Sequence, residues 1–237
     1  MFKRILLKLS GEALSSKENA FDVKTLNSLV NVISKIKKLN IDLAIVLGGG
    51  NFLRGKELAA LNFERTTSDY MGMLATVINT IALETALNNA GVSAKAFSAL
   101  EIPKMIKSFN QADVIEALKD NKVVIFAGGV GNPYFSTDTC CALRALEIKA
   151  DTILIAKNGV DGVYDKDPNK FSDAIKFDEI TFTQMIKNNL EIIDLSAAIL
   201  CKENNIDAYI FNMNDTENII KVLKGENIGT LISAREE

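Results

Sequence analysis

Histidine and tryptophan are absent from this chain of 237 residues, and cysteine occurs only three times. The absence of histidine excludes Ser-His-Asp and Cys-His catalytic arrangements, imidazole acid–base chemistry and histidine-ligated metal sites. Any chemistry must therefore be carried by Lys, Arg, Asp, Glu, hydroxyl groups or backbone amides.

The three cysteines, Cys140, Cys141 and Cys201, are too few for a disulfide framework or, without histidine, for a four-ligand zinc site. Buried, reduced thiols in a reducing cytosol are the ordinary explanation. No run approaches 18 apolar residues, and the apolar N-terminal segment is interrupted by Lys8 and followed by Ser10, which is too short for a signal peptide. We therefore expect a cytoplasmic protein that does not interact with a membrane.

The charge balance argues against a nucleic-acid partner. The chain has a formal net charge of -3, whereas nucleic-acid-binding surfaces are usually basic. Its 48% hydrophobic and 24% charged residues are ordinary for a globular protein.

Short, apolar, β-rich runs alternate with segments of helical periodicity along the whole chain. The predicted strands are 5–9, 41–47, 93–97, 123–127, 152–156, 208–211 and 230–232. The predicted helices are 23–39, 68–89, 111–118, 137–147, 183–188, 195–204 and 216–223. This alternation predicts an α/β fold, a three-layer α/β/α sandwich with a mainly parallel central sheet. Because the sequence has no linker or repeat, we expect one domain spanning residues 1–237.

Glycine is concentrated where three predicted strands end, in the segments 10–11, 48–51 and 128–132. Ligands bind at the carboxyl ends of strands in open α/β sheets, and glycine lets backbone amides approach an anion closely. Each loop alone could be a tight turn, but three in series predict a cradle for phosphates. Neither the Walker motif nor G-x-G-x-x-G is present, which disfavours a Walker-type ATPase and a nicotinamide dehydrogenase.

Three charged residues adjoin these loops. Lys8 interrupts an apolar strand, where a cation is costly unless an anion meets it, and Arg54 lies within reach of a phosphate held by the second loop. Asp138 lies at the start of a predicted helix. The alternatives are a snorkelling Lys8, a solvated Arg54, and Thr137 or Asp138 as a plain N-cap. Together the charges suit phosphoryl transfer, which needs no histidine.

Six segments resemble the bacterial uridylate kinases of the amino acid kinase superfamily, and the similarity runs in order from residue 3 to about 232. They are 8–14 (KLSGEAL), 48–51 (GGGN) with Arg54 and Gly55, 69–76 (DYMGMLAT), 131–138 (GNPYFSTD), 160–164 (VDGVY) with Asp167 and Pro168, and 211–214 (FNMN). The segments 69–73 and 131–138 are the most specific of the six within the superfamily, and they indicate the UMP-specific branch.

The resemblance implies the amino acid kinase fold, a homohexamer, and phosphoryl transfer from ATP to UMP in pyrimidine nucleotide synthesis. Mg²⁺ would be held through the ATP phosphates, with no protein metal site of its own. UMP would bind mainly in the N-terminal part and ATP mainly in the C-terminal part. UTP would inhibit, because it carries the same uridine as UMP together with phosphates that the same loops can hold.

The resemblance also implies site residues. The catalytic residues would be Lys8, Arg54 and Asp138. The UMP-binding residues would be Gly49, Asp69, Val130, Gly131, Asn132, Pro133, Tyr134, Phe135, Ser136 and Thr137. The ATP-binding residues would be Lys8, Leu9, Ser10, Gly11, Gly50, Arg54, Asn158, Tyr164 and Asp167. On pattern alone, Tyr164 could instead be an ordinary hairpin aromatic residue.

One segment departs from the family pattern. Many members are activated by GTP and carry glycine in a loop shortly after the first strand, whereas residues 15–21 here (SSKENAF) contain none. We therefore expect weak or absent GTP activation.

Two other functions remain open at this point. One is a related kinase that acts on a carboxylate or a carbamate, which would have no reason to retain segments 69–73 and 131–138. The other is a non-catalytic nucleotide sensor, which would have no need of Lys8 and Asp138, since a sensor requires binding without transition-state stabilisation.

Overall fold

The computed structural model describes residues 2–16, 18–53 and 62–235. The strands are β1 (Arg4–Leu9), β2 (Asp42–Leu47), β3 (Ala94–Ser98), β4 (Lys107–Ser108), β5 (Val123–Ala127), β6 (Thr152–Lys157), β7 (Val163–Tyr164), β8 (Lys176–Phe177), β9 (Glu179–Thr181), β10 (Asp207–Asn212) and β11 (Thr230–Ser233). The helices are α1 (Val23–Lys37), α2 (Arg65–Asn89), α3 (Gln111–Lys119), α4 (Thr137–Ile148), α5 (Phe182–Lys187), α6 (Leu195–Glu203) and α7 (Asn218–Leu223), and a 3-10 turn covers Gly11–Leu14.

Nine of the described strands form one sheet in the order β4-β3-β5-β2-β1-β6-β10-β11-β9. Every pairing in it is parallel except that of β10 with β11. The predicted mainly parallel sheet is therefore confirmed. Since β1, β2, β5 and β6 run in the same direction side by side, the loops that follow them meet at one edge.

Helices cover both faces of the sheet, as the three-layer prediction requires. One hydrophobic cluster joins α1, α2 and α7 to the sheet through residues such as Ile33, Leu83 and Ile219. The other joins α3, α4, α5 and α6 to the opposite face. Strand β1 contributes to both, because Ile5, Leu7 and Leu9 point to the first cluster and Leu6 to the second.

The same alternation places Lys8 on the face of α4. Successive side chains of a strand point to opposite faces, so Lys8 shares its face with Leu6. Lys8 pairs with Val46 of β2 and Ile155 of β6, which puts it in the middle of the sheet.

Most element predictions agree with the structure to within one to three residues at each end. The strands β4, β7, β8 and β9 were not predicted, because two or three residues are too few to show a period. Helix α2 begins at Arg65, three residues before the predicted start.

Helix α2 is the one helix in the described ranges that is long and apolar enough to span a bilayer by length and composition. Val77, Leu83 and Leu87 of this helix are buried, and 44% of its most apolar stretch lies inside the fold. A core helix passes the same test of length and composition.

Candidate active site

Lys8 and Asp138 form an ion pair at the end of β1. The Lys8 Nζ atom lies 2.6 Å from Oδ1 of Asp138, and the two side chains are only 13% and 14% exposed. That Oδ1 atom is buried and receives no hydrogen bond among the described residues, so the contact is electrostatic. Asp138, the second residue of α4, therefore supplies the negative charge that the buried Lys8 requires.

Helix α4 is capped by Ser136, and neither Thr137 nor Asp138 is the N-cap. The Ser136 hydroxyl accepts hydrogen bonds from the amides of Asp138 (2.9 Å) and Thr139 (3.2 Å). The interpretation of Thr137 or Asp138 as a plain N-cap was therefore wrong. Because Ser136 performs the capping, the carboxylate of Asp138 is free to meet Lys8.

Asp194 holds this helix start in place. Its carboxylate accepts hydrogen bonds from the hydroxyls of Ser136 and Thr139 while it caps α6 through the amide of Ala197. Burial raises the pKa of Asp194, but the hydrogen bonds from Ser136, Ala197 and Thr139 outweigh burial, and the net pKa is lowered. The carboxylate therefore stays ionised and links α4 to α6.

A second lysine adds positive charge behind the pair. The Nζ atom of Lys157, at the end of β6, donates to the carbonyl oxygen of Ile192 at 2.6 Å. Burial lowers the pKa of Lys157, and the charge of Lys8 lowers it further. The ends of β1 and β6 thus place two cations side by side.

The first two glycine loops are in direct contact. A Cβ atom on Gly11 would lie 2.3 Å from Oδ1 of Asn51 and 2.7 Å from the carbonyl oxygen of Gly48, so no other residue fits there. A Cβ on Gly49 would lie 2.8 Å from the carbonyl oxygen of Gly72 on α2. The second loop is therefore packed between the first loop and α2.

A cavity of about 440 Å³ opens where the second and third glycine loops face α2 and the start of α4. It is lined by Gly49, Gly50, Leu53, Ser68, Asp69, Gly72, Met73, Thr76, Gly129, Asn132, Phe135, Ser136 and Thr137. Seven of these residues were predicted to contact a nucleotide. The cavity brings together residues that are more than 80 positions apart in the sequence.

The segment from Val130 to Phe135 is shaped by two residues with positive φ. Gly131 has a φ of 86°, and Tyr134 has a φ of 72°, which is uncommon for an aromatic residue. The Tyr134 amide donates to Oδ2 of Asp69 at 2.7 Å, and its ring lies under the Arg65 guanidinium at 4.8 Å. This hydrogen bond ties the segment to α2 and fixes one oxygen of Asp69. Val130 packs instead against the core, and Pro133 does not line the cavity.

Two of the predicted ATP residues line a separate cavity of about 480 Å³. Tyr164 and Asp167 face it together with Val160, Gly162, Val163, Asp165, Lys166, Pro168, Asn169, Asn188, Asn189, Leu190, Glu191 and Ile192. The Tyr164 hydroxyl donates to Asp161 at 2.7 Å, and this hydrogen bond raises the pKa of Tyr164. Tyr164 lies in a two-stranded antiparallel ribbon of β7 and β8, as the hairpin alternative expected.

Of the other predicted ATP residues, Gly50 lines the first cavity, whereas Lys8, Leu9, Ser10, Gly11 and Asn158 lie near the ends of β1 and β6 and line neither cavity. The Asn158 Nδ2 atom donates to Oε2 of Glu12 at 2.9 Å, which joins the two strand ends. Ser10 caps the 3-10 turn, and the Leu9 side chain is fully buried in the core. Only backbone atoms of Leu9 can therefore face a ligand. Arg54, the third predicted catalytic residue, lies outside the described residues.

Four polar residues that support the site were not predicted. They are Asn51, Thr76, Asn79 and Asp194. The Thr76 hydroxyl accepts from the amide of Gly128 at 2.8 Å and so attaches the third glycine loop to α2. An aspartate before a helical pattern signals an N-cap, which could have identified Asp194 as a cap but not as a link between α4 and α6.

Within the described residues, no group of three or more Cys, Asp or Glu side chains could hold a metal ion. Oδ1 of Asp138 is already paired with the Lys8 ammonium at 2.6 Å, so a metal ion would be met by the other oxygen of this carboxylate. Mg²⁺ in phosphoryl-transfer sites is usually bound by one or two carboxylates and by substrate phosphates. Asp138 therefore fits a metal that arrives with a nucleotide.

Comparison with known proteins agrees with this geometry. The model of the amino acid kinase family matches residues 3–212. The chain belongs to the amino acid kinase family. It is 42% identical over 237 residues to the uridylate kinase of Streptococcus thermophilus, which covers 100% of this chain and 97% of that protein.

Solved structures of the family extend the likeness to the fold. The UMP kinase of Ureaplasma parvum superposes with a TM-score of 0.93 at 40% identity, covering 98% of each chain. The UMP kinase of Bacillus anthracis gives 0.95 at 32% identity, covering 99% of this chain and 97% of that one. The resemblance to the uridylate kinase branch of the family is confirmed, as is the amino acid kinase fold.

Proposed function

We propose that this chain is an ATP:UMP phosphotransferase, which transfers the γ-phosphoryl group of ATP to UMP and gives ADP and UDP. The reaction is reversible and belongs to pyrimidine nucleotide synthesis. The observation that carries the proposal is the buried Lys8–Asp138 pair beside the glycine loops. Phosphoryl transfer depends on positioning and on neutralising negative charge, and both are supplied here without histidine.

The cavity beside α2 takes UMP. Asp69 stands at its wall with one oxygen fixed by the Tyr134 amide, and its other oxygen can accept from a ribose hydroxyl. Gly49 and the cavity-lining residues of the segment 130–137, which are Asn132, Phe135, Ser136 and Thr137, surround the nucleotide. Apolar lining from Leu53, Met73 and Phe135 offers surface for a base.

ATP approaches from the side of β6. Its base and ribose lie at the cavity beside Tyr164 and Asp167, with Asn158, which donates to Glu12, at the end of β6. The backbone of residues 9–11 and Gly50 faces its phosphates. We assign Lys8 and Arg54 to the phosphoryl group in flight, where fixed cations offset the charge on the equatorial oxygens.

Mg²⁺ accompanies ATP in this proposal. Bound to the phosphates, it would neutralise charge on the β- and γ-phosphoryl oxygens. Asp138 would face it, and Asp138 also holds the Lys8 ammonium toward the same point. The carboxylate thereby links the strand lysine to the nucleotide site.

The assembly proposed is a homohexamer. Tyr70, Leu74 and Ile78 are 44%, 48% and 49% exposed and lie four residues apart on α2, so they form an apolar stripe on one helix face. Contact between copies through this stripe would cover it. Light scattering coupled to size exclusion should give six times the 25.9 kDa mass of one chain, and Leu74→Glu should reduce that mass.

UTP is proposed to inhibit by occupying the UMP cavity, with no second site. GTP activation needs a separate site and a coupling free energy of about 1–3 kcal/mol. Because residues 15–21 lack glycine, we expect GTP to raise the rate less than threefold at subsaturating UMP, while UTP competes with UMP. A tenfold rise on titrating GTP would contradict this expectation.

An ADP-release assay with several acceptors tests the function. UMP should be strongly preferred over CMP, dUMP and AMP, because a pocket built around one nucleoside leaves polar groups unpaired with another. N-acetylglutamate and carbamate should give no ADP above the background, which separates this enzyme from relatives acting on carboxylates. Nucleotide binding without ADP release for any acceptor would instead identify a sensor.

A further inference from the structure

A buried amide pair joins α2 to the second glycine loop. Asn79 lies in the middle of α2 and is fully buried. Its Nδ2 atom donates to Oδ1 of Asn51 at 2.7 Å, and its Oδ1 atom accepts from Nδ2 of Asn51 at 2.9 Å. Nδ2 of Asn79 also donates to the carbonyl oxygen of Gly48 at 2.7 Å. Asparagine is a poor helix former and costly to bury, so its presence here requires these bonds.

The pair fixes both ends of the loop that follows β2. Gly48 is held through its carbonyl oxygen and Asn51 through its side chain, while Gly49 and Gly50 between them face the nucleotide cavity. The other hydrogen of Asn51 Nδ2 is donated to the carbonyl oxygen of Ala20. Both N–H groups of the Asn51 amide are therefore used, and neither is left to donate to a ligand.

The same pair sets the spacing to the first glycine loop. Oδ1 of Asn51 lies only 2.3 Å from the position that a Cβ atom on Gly11 would take, so the first loop packs directly against the amide group of Asn51. A shift of Asn51 would move the backbone of Gly11, which follows Lys8 by three residues. One helix side chain thus determines how two phosphate-facing loops sit relative to each other.

We propose that Asn79 is a positioning residue for phosphoryl transfer, acting through Asn51 on the two glycine loops. This inference rests on the proposed kinase activity. Asn79 touches no substrate, since it is covered by the loop it holds. Misplacement of a positioned group by about 1 Å can cost 10²-fold in rate. The uridine of UMP is proposed to be held mainly by Asp69 and by Asn132 and Phe135, on other walls of the cavity.

A double-mutant cycle tests the proposal. Asn79→Ala and Asn51→Ala should each lower kcat about 10- to 100-fold, with the KM for UMP changed less than threefold. If the two residues act as a unit, the double variant should lose no more than the worse single variant. Additive losses in kcat, or folded variants with wild-type kcat, would overturn the proposal.

Thr80→Val is the matched control on the next residue of α2. Thr80 is also fully buried, and its hydroxyl donates to the carbonyl oxygen of Phe126 on β5 at 3.4 Å, with no hydrogen bond to the first two glycine loops among the described residues. The Thr80→Val variant should have a lower melting temperature, because a buried hydrogen bond is lost, and an unchanged kcat. A comparable kcat loss in Thr80→Val would mean that Asn79 acts only through stability.

The possible outcomes of this test can be told apart. If Asn79→Ala does not fold, Asn51→Ala leaves the helix sequence intact and carries the test alone. If the wild-type enzyme releases no ADP with UMP, the proposed kinase function itself is wrong. That result is seen without any variant, so it is distinct from a failure of the double-mutant cycle. UMP affinity by calorimetry should be the same in wild type and Asn51→Ala, and a loss of affinity equal to the loss of kcat would contradict a role confined to transfer.

Discussion

The two cavities of the site are built in different ways. The cavity beside α2 is walled by segments that are tied to the core, through Thr76, Asn79 and the Asp194 carboxylate. The second cavity is walled by the two-residue strand β7 and by loop residues such as Lys166 and Asp167, which form surface ion pairs with Asp173 and Lys170. Exposed pairs of this kind contribute about 0–1 kcal/mol each.

The difference matches what each side must do in the proposed reaction. The acceptor and the phosphoryl group have to be placed to within fractions of an ångström, whereas the base of the donor nucleotide only has to be bound. We therefore expect substitutions around the first cavity to lower kcat and those around the second to raise KM.

The largest effect is expected for the two cations that we assign to the phosphoryl group in flight, Lys8 at the end of β1 and Arg54. Lys8→Ala and Arg54→Ala should each lower kcat at least 10²-fold, because removing a preorganised transition-state contact costs about 2.7–4 kcal/mol. Steady-state ADP release measures the loss. The fold should survive Lys8→Ala, since Asp138 remains at a helix N-terminus, where a negative charge is favourable. A folded Lys8→Ala enzyme with near-normal kcat would make Lys8 a structural residue.

Asp194→Ala should have the next largest effect. It leaves the hydroxyls of Ser136 and Thr139 and the amide of Ala197 without their acceptor, which should lower the free energy of unfolding by about 2–3 kcal/mol. Since α4 then loses its anchor, kcat should fall about tenfold. Chemical denaturation and ADP release measure the two losses, and Asp173→Ala on the second cavity side, whose carboxylate is 76% exposed, is the control. Equal effects of the two variants would remove the contrast between the cavities.

The helices behind the first cavity also carry the three cysteines, all buried and free. Burial raises the pKa of Cys140 to about 11 and that of Cys201 to about 12, from an ordinary value of 9.0. Above pH 9 an unfolded thiol loses its proton while the folded thiol keeps it, so stability falls as the pH rises toward the folded pKa.

Cys201→Ala should remove one thiol from this dependence. The slope of the free energy of unfolding between pH 10 and 11 should become less negative by about 1.4 kcal/mol per pH unit. Denaturant titrations of both proteins at each pH give the difference, in which lysine and tyrosine titrations common to both cancel. Identical slopes would show that Cys201 is not shielded from solvent in the folded chain.

The smallest effect is expected in the second cavity. Tyr164→Phe removes one hydroxyl that donates to Asp161, a bond worth about 1 kcal/mol at an open site. The KM for ATP should rise about threefold with kcat unchanged. A kcat loss as large as that of Asp194→Ala would show that the hairpin takes part in the transfer step.

The layers and the sheet were predictable because each strand carries its own signal. The run 123–127 is apolar throughout, and the run 5–9 is broken only by Lys8, whose position one residue from the strand end marked it as functional. Strands β7 and β8 left no such signal, because two residues show no period. Their pairing depends on the tertiary arrangement of the loop between β6 and α5.

The hydrogen bonds that support the site from behind could not be predicted from the sequence, for a different reason. Thr76 and Asn79 are polar residues in a largely apolar helix, and a sequence does not tell whether such a residue faces solvent or a buried carbonyl group. Asp194 could be recognised as a helix cap, but its bonds to Ser136 and Thr139 depend on the approach of two helices separated by nearly 60 residues.

The central position of β1 in the sheet determines when the strand around Lys8 opens during unfolding. Lys8 lies on a strand flanked on both sides by parallel partners, at residues Val46 and Ile155, and its amide belongs to the innermost part of the sheet. Local fraying of the molecule opens loops and edge strands such as β4 long before such a strand separates. Backbone hydrogens around Lys8 should therefore exchange only on global unfolding. A heated or partly proteolysed sample would lose the structure of its loops first and that of the strand around Lys8 last.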